Sequence, residues 1–231
     1  ISLRVNPDVD PKTHPYIATG LKESKFGVAF AEAPALYRRA AALPHIDVQG
    51  IDCHIGSQVT DLSVYVEAAE KVFDLVDRIE RDGIALHHVD LGGGLGIRYR
   101  DEETIDAAAY AGAVRQALGG RRHELLFEPG RFLVAEAGVL LTRVAYLKPG
   151  ETHDYAIVDA AMNDLLRPAL YAAWHPVEPV RPRAGVARRW QIVGPVCESG
   201  DFLAHDRDLA LAAGDLLAVR AAGAYGFVMS S

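Results

Sequence analysis

A lone thiol stands directly before a carboxylate in "GPVCESGD", residues 194–201, in a chain with two cysteines in all. From the residues alone Cys197 is either a small buried hydrophobe or an acid–base group, because a thiol of ordinary pKa is protonated near neutrality yet able to release its proton. Four other stretches carry comparable chemistry. "CHIGSQ" offers Cys53, His54 and Ser57; a flat imidazole can stack on an aromatic ring, and a hydroxyl beside glycine can bind phosphate. "DLGGGLG" places Gly92, Gly93 and Gly94 after an acidic residue, where backbone without Cβ atoms can approach an anion or simply make a tight turn. "EPGR" joins Glu128, suited to a protonated ring nitrogen, to Gly130 and to Arg131, whose planar guanidinium can clamp a carboxylate or phosphate. In "NDLLRPALYAAWHP", Arg167 and Tyr171 lie one helical turn apart and suit an anionic group. The glycines lack the G-x-G-x-x-G register of a dinucleotide site. The histidines, including His87, His88 and His205, lack the spacing of metal ligands, so no metal is expected.

Composition narrows the classes. Half of the 231 residues are hydrophobic, a quarter are charged and the formal net charge is −7. No run of Lys or Arg exceeds two, which argues against a nucleic-acid partner and for small-molecule chemistry. The apolar runs are too short or too charged to span a bilayer and no signal peptide opens the chain, so a cytoplasmic location is expected. Two cysteines make no disulfide framework.

These residues must be positioned by ordered elements. Runs with strand character occur at about residues 1–6, 47–53, 85–91 and 124–128. Helical runs lie between them: "AEAPALYRRAAAL", "SVYVEAAEKVFDLVDRIERDG" with Val66, Ala69, Val72, Phe73, Val76 and Ile79 at helical spacing and Gly83 as a stop, and "TIDAAAYAGAVRQAL" with Thr104 as its cap. Residues 7–27 read as a long loop. Strand–helix alternation predicts parallel β/α units, and the unusual residues fall at strand C-terminal ends, where such folds keep their sites. Beyond about residue 131, "FLVAEAG" reads as a short helix, while "VLLTRVAYLK", "HDYAIVDA", "RWQIVGPVCE" and "GDLLAVRAAGAYG" read as short strands of a β-rich domain. Two domains, 1–131 and 132–231, are therefore expected.

The ordered set "HIGSQ", "DLGGGLG", "EPGR", "GPVCESGD" and "GAYGFVMSS" resembles the fold-type III pyridoxal-phosphate decarboxylases along essentially the whole chain. "THPYIATGLKESKFG" and "GFVMSS" resemble the members that convert meso-2,6-diaminopimelate to L-lysine and CO2. The resemblance implies the C-terminal half of an alanine-racemase-like (β/α)8 barrel followed by a β-sandwich or β-barrel-like domain, in a homodimer with shared active sites. It implies that pyridoxal 5'-phosphate is held by His54 on its ring face, by Ser57, Gly93, Gly94, Gly130, Arg131 and Tyr225 about its phosphate, and by Glu128 at the ring nitrogen. It makes Arg131, Arg167, Tyr171, Glu198 and Tyr225 substrate-binding residues, and Cys197, with His54, catalytic: Cys197 would reprotonate the substrate carbon from the partner subunit.

The family's Schiff-base lysine has no counterpart here; Lys25 in "SKFG" lacks its context. The chain is accordingly expected to be an internal piece of a longer enzyme, inactive alone. The alternatives are a decarboxylase for ornithine, arginine or carboxynorspermidine, a homologue that only binds, and a phosphate-binding barrel without this chemistry.

Overall fold

A computed structural model describes residues 1–10 and 25–231. Most of "THPYIATGLKESKFG", Thr13 to Ser24, lies outside the described residues. The chain divides into two compact units, Ile1–Ile97 with Glu103–Gly130, and Arg98–Glu102 with Arg131–Ser231.

The first unit is a parallel sheet covered by helices. Its strands are β1 (Ser2–Asn6), β2 (Val28–Ala29), β3 (Gly50–Cys53), β4 (His88–Gly93) and β5 (Glu124–Glu128), in the order β2-β1-β3-β4-β5. The two-residue β2 falls just beyond the segment read as a loop, and too few residues take part for any periodicity to show. Pairing sets Arg4 opposite Asp52 and Asp52 opposite Asp90, so residues far apart in sequence share one row across the sheet.

Helices α1 (Ala33–Ala41), α2 (Leu62–Arg81) and α3 (Ala107–Leu118) connect the strands. In α2 the buried stripe begins at Val64 and Tyr65 and runs through Ala68, Val72, Phe73, Val76 and Ile79. Val66, read as part of that stripe, is only partly buried. The Asp61 side chain accepts the Ser63 N–H at 2.9 Å and starts the helix. Gly83, at φ +83°, stops it. Thr104 is not the cap of α3: Asp106 fills that role, its carboxylate accepting the Ala109 N–H at 2.9 Å. An Asp side chain two residues nearer the apolar run satisfies the orphan N–H in its place.

Apart from Arg98–Glu102, the second unit opens within the short helix α4 (Gly130–Val134), which starts two residues before "FLVAEAG". Its sheet has the order β10-β9-β7-β6-β11-β8, formed by β6 (Leu140–Lys148), β7 (Asp154–Val158), β8 (Val177–Pro179), β9 (Arg188–Val193), β10 (Phe202–Leu209) and β11 (Leu216–Val219). All pairs are antiparallel except β7 with β9. Neither β8 nor β10 stands out in sequence, because one carries Pro and the other a run of four polar residues, His205 to Asp208. A five-residue helix, α5 (Arg167–Tyr171), precedes β8. The core gathers Trp190, Ile192, Leu203, Leu217 and Val219, with Trp190 Nε1 donating to the Leu209 carbonyl at 2.9 Å so that the buried indole N–H is satisfied.

Candidate active site

In the first unit the chemistry collects at the C-terminal ends of β3, β4 and β5. His54 follows β3 directly, and its Nδ1 accepts the Gly93 N–H at 3.2 Å. Burial, and secondarily Arg4, holds its pKa below the ordinary imidazole value, so the ring is neutral with its proton on Nε2. "HIGSQ" and "GGGLG" are stitched together: Val59 N–H donates to Gly94 O at 2.9 Å and Gly96 N–H to Val59 O at 3.0 Å, while Gln58 Nε2 donates to Ile97 O at 2.6 Å. Ser57 sits half-buried in this loop.

The triple glycine answers to sterics first. A Cβ on Gly92 would lie 2.4 Å from Cys53 O, one on Gly93 1.9 Å from Glu128 O, and one on Gly94 2.0 Å from Gly56 O. The space is taken by neighbouring backbone, which lets β4 pass close to the residues that flank His54 and Glu128. The Gly92 N–H is directed to Asp90 Oδ1 at 2.8 Å and the Gly93 N–H to His54, so neither of these two points to an external anion. At Gly130 an added Cβ would meet nothing within 4 Å. Cys53 is a buried hydrophobe whose thiol is pushed far up by burial.

Glu128 is exposed at the end of β5. Its carboxylate belongs to a set with Asp52 and Asp90, whose oxygens all lie within 4.8 Å of one another. Sequence reasoning passes over Asp52, a polar residue inside an apolar strand that parallel pairing aligns with Asp90. Burial, then repulsion from Asp90, raises the Asp52 carboxyl to about 6; Arg4 opposes this and Glu128 adds to it. Such a set attracts a positively charged ring nitrogen, and oxygens of this kind also suit a hard cation. Among the described residues no His, Cys or fourth carboxylate joins them.

The second unit holds the opposite charge. Arg131, on α4, is 5% exposed and donates through Nη1 to the Tyr99 hydroxyl at 2.6 Å; the Tyr225 ring lies 4.8 Å from its guanidinium carbon. Arg167, at the start of α5, is 6% exposed, and its guanidinium lies 4.6 Å from the Tyr99 ring centre. Burial, and then the positive field of Arg131 partly offset by the tyrosines, lowers the Arg167 pKa. Tyr171 ends α5 and is among the groups whose field acts on Arg167. Tyr225 adopts φ +58°, a strained conformation for an aromatic residue. Arg131 and Arg167 thus meet at Tyr99, with the Tyr225 ring against Arg131. Tyr99 gives no signal in sequence, and His175, which bonds Arg167 Nη1 at 2.7 Å, stands in "AAWHP" without any spacing to mark it.

Cys197 and Glu198 lie in the exposed turn after β9. Asp201, 3% exposed, holds this turn by accepting the Val196 N–H at 2.8 Å and the Met162 N–H at 2.6 Å. The thiol and its neighbouring carboxylate are therefore presented on an ordered edge, whereas Arg131 and Arg167 are buried.

Residues 1–135 match the pyridoxal-binding domain of the pyridoxal-dependent decarboxylases. Over 231 residues the chain is 65% identical to a diaminopimelate decarboxylase of Pseudomonas aeruginosa, covering all of this chain and 56% of that protein. It is 56% identical over 232 residues to the Vibrio cholerae protein of the same name, again with 56% of the relative covered. Among solved structures it resembles a Helicobacter pylori diaminopimelate decarboxylase complexed with L-lysine, at 44% identity and a TM-score of 0.96, covering all of this chain and 58% of the other. A lysine/ornithine decarboxylase of Vibrio vulnificus complexed with cadaverine is more distant, at 26% identity and a TM-score of 0.82 over 90% of this chain and 58% of that one. The chain therefore spans a little over half the length of the curated relatives it matches. Among the described residues no helix is long and apolar enough to cross a membrane.

Proposed function

From its membership of the pyridoxal-dependent decarboxylases, to which this chain belongs, we propose that it forms part of an enzyme converting meso-2,6-diaminopimelate to L-lysine and CO2, the closing step of lysine biosynthesis. The finer architecture belongs to the same proposal: half of an alanine-racemase-like (β/α)8 barrel, a β domain, and a cytoplasmic homodimer whose subunits complete each other's sites.

The residues fit pyridoxal 5'-phosphate. His54 is neutral and flat, suited to a ring face; Glu128, backed by Asp52 and Asp90, suits a protonated ring nitrogen; Ser57, Gly94 and the open Gly130 suit a phosphate. Gly93 contributes shape, since its N–H is directed to His54. When bound, the cofactor supplies the sink for the electron pair left as CO2 departs. Glu128 keeps the ring nitrogen protonated, His54 orients the ring, and Tyr225 and Arg131 serve the phosphate and the substrate. Cys197 delivers a proton to the substrate carbon, and Glu198 beside it holds the distal ammonium.

The observation that carries the substrate assignment is the pair of buried guanidiniums, Arg131 and Arg167, set among tyrosine rings. Diaminopimelate keeps a second carboxylate after losing the first, and Arg167 with Tyr171 would receive it. Ornithine has none and would leave a buried cation without its anion, a mismatch that makes polar sites strongly selective. The purified enzyme that contains this chain, supplied with pyridoxal phosphate, is expected to release lysine from meso-diaminopimelate and no putrescine from ornithine. Putrescine would move the assignment to the basic amino-acid decarboxylases, and no product from either would favour a homologue that only binds.

A further inference from the structure

Arg167 carries its charge in an unusual setting. Among the described residues no carboxylate pairs with it; its Nη1 instead meets Nε2 of His175 at 2.7 Å. His175 is fully buried, and its Nδ1 lies 2.9 Å from the carbonyl oxygen of Arg220. A carbonyl only accepts, so Nδ1 must hold the proton, which leaves Nε2 as a bare lone pair aimed at the guanidinium. The backbone of the histidine is pinned as well: Arg207 Nη2 donates to the His175 carbonyl at 2.8 Å, and the ring stands edge-on to Tyr99, with centroids 5.2 Å apart. Burial, reinforced by the arginines around it, lowers the imidazole to about 4, so it stays neutral through the physiological range.

We propose that His175 is the positioning residue for Arg167: a neutral, tautomer-locked acceptor that fixes the guanidinium while leaving its whole charge for a substrate carboxylate. A carboxylate in this place would orient Arg167 equally well but would neutralise it. The neutral nitrogen uses one N–H of the fork and leaves the rest of it and the net charge to the ligand. This inference rests on the diaminopimelate reading and deepens it by assigning the group that sets the strength of the distal-carboxylate contact.

The test compares two ligands of the pyridoxal-phosphate-loaded enzyme by calorimetry: L-lysine, which retains the distal carboxylate, and cadaverine, which lacks it. Wild type should prefer lysine. His175→Phe, which keeps a ring but offers no acceptor, should weaken lysine binding by about 10-fold or more and leave cadaverine unchanged. His175→Gln, whose amide oxygen can accept from Arg167, should recover most of the loss. A lysine preference that survives His175→Phe, or equal losses in the Phe and Gln variants, would overturn the inference while the substrate reading stands. A wild type without any lysine preference would remove the reading and the inference together. If His175→Phe does not fold, the tautomer decides: nitrogen NMR of the labelled wild type, with His175 assigned from its absence in the Gln variant, should show Nδ1 protonated and Nε2 bare at neutral pH. A proton on Nε2 would overturn the assignment outright.

Discussion

The two units solve opposite electrostatic problems in different ways. The first gathers three carboxylates, Asp52, Asp90 and Glu128, at half-open strand ends, where one of them responds by binding a proton more tightly. The second gathers two guanidiniums, Arg131 and Arg167, that are almost wholly buried. Arginine cannot escape by titrating near neutrality, so this unit surrounds its charge with tyrosine faces, a hydroxyl and a neutral imidazole. Like charges held together are poor stabilisers of a fold. On the proposed reading, two such sets in one chain, one of each sign, serve the cationic ring nitrogen and the substrate carboxylate in turn.

The largest expected effect comes from breaking the cationic set. Arg167→Met should lower kcat/KM for meso-diaminopimelate by about 10²- to 10³-fold, the range for truncating one partner of a buried charged contact. Thermal stability should change little, because the loss of a buried repelling charge offsets the cost of leaving His175 Nε2 without its donor. A parallel fall in stability would mean that the arginine is structural.

The acidic set can be displaced without touching a charge. Gly93→Ala would drive a Cβ to 1.9 Å from the Glu128 carbonyl, pushing β5 away from β4; destabilisation of about 3 kcal/mol or more is expected, at the top of the overpacking range. Because both tryptophans, Trp174 and Trp190, lie in the second unit, the loss should appear in the helical circular-dichroism signal ahead of the tryptophan emission.

Acid titration sharpens the contrast, since the two sets respond with opposite sign. His175 is depressed from 6.5 to about 4 in the folded state, so between those values the unfolded chain binds more protons. Its contribution is present above pH 6.5 and is lost as pH falls towards 4, worth about 3 kcal/mol at most. Asp52 is raised from 3.8 to about 6, so its contribution is present below pH 3.8 and is lost as pH rises through 6. Stability against unfolding, followed by tryptophan emission, should therefore fall on acidification from pH 6.5 to 4, and His175→Gln should flatten that slope.

The smallest effect is expected from Asp52→Asn. It removes one of three like charges from a half-exposed place, where solvent screening limits the gain; stability at pH 7 should rise by less than about 1 kcal/mol. The bound cofactor's absorbance should become more sensitive to pH as Glu128 loses a neighbour that favours positive charge at the ring nitrogen. An unchanged spectrum would leave Glu128 acting alone.

Much of the first unit is legible in the amino-acid sequence. The β/α rhythm up to Glu128, the Gly83 stop, and the gathering of "HIGSQ", "GGGLG" and "EPGR" at strand ends rest on patterns of a few residues, which local propensity controls. The misses share a different cause. Thr104 looks like a cap, yet Asp106 competes for the same N–H over a distance that only helix geometry decides. β2 is too short to show a period, and β8 and β10 carry polar residues or Pro that tertiary pairing overrides.

Residue types and their spacing were enough to mark candidate groups and to put "HIGSQ", "GGGLG" and "EPGR" at strand ends, because alternation, helical spacing and glycine turns act between near neighbours. Which of those groups act together was left to the folded chain. Parallel register brings Asp52 and Asp90 side by side and Glu128 within reach of both. Tyr99 reaches Arg131 across 32 residues and His175 reaches the Arg220 carbonyl across 45. Such contacts leave no periodic trace, since they are selected by the burial of charge and the need to satisfy each buried donor, conditions that exist only once the chain has closed around them.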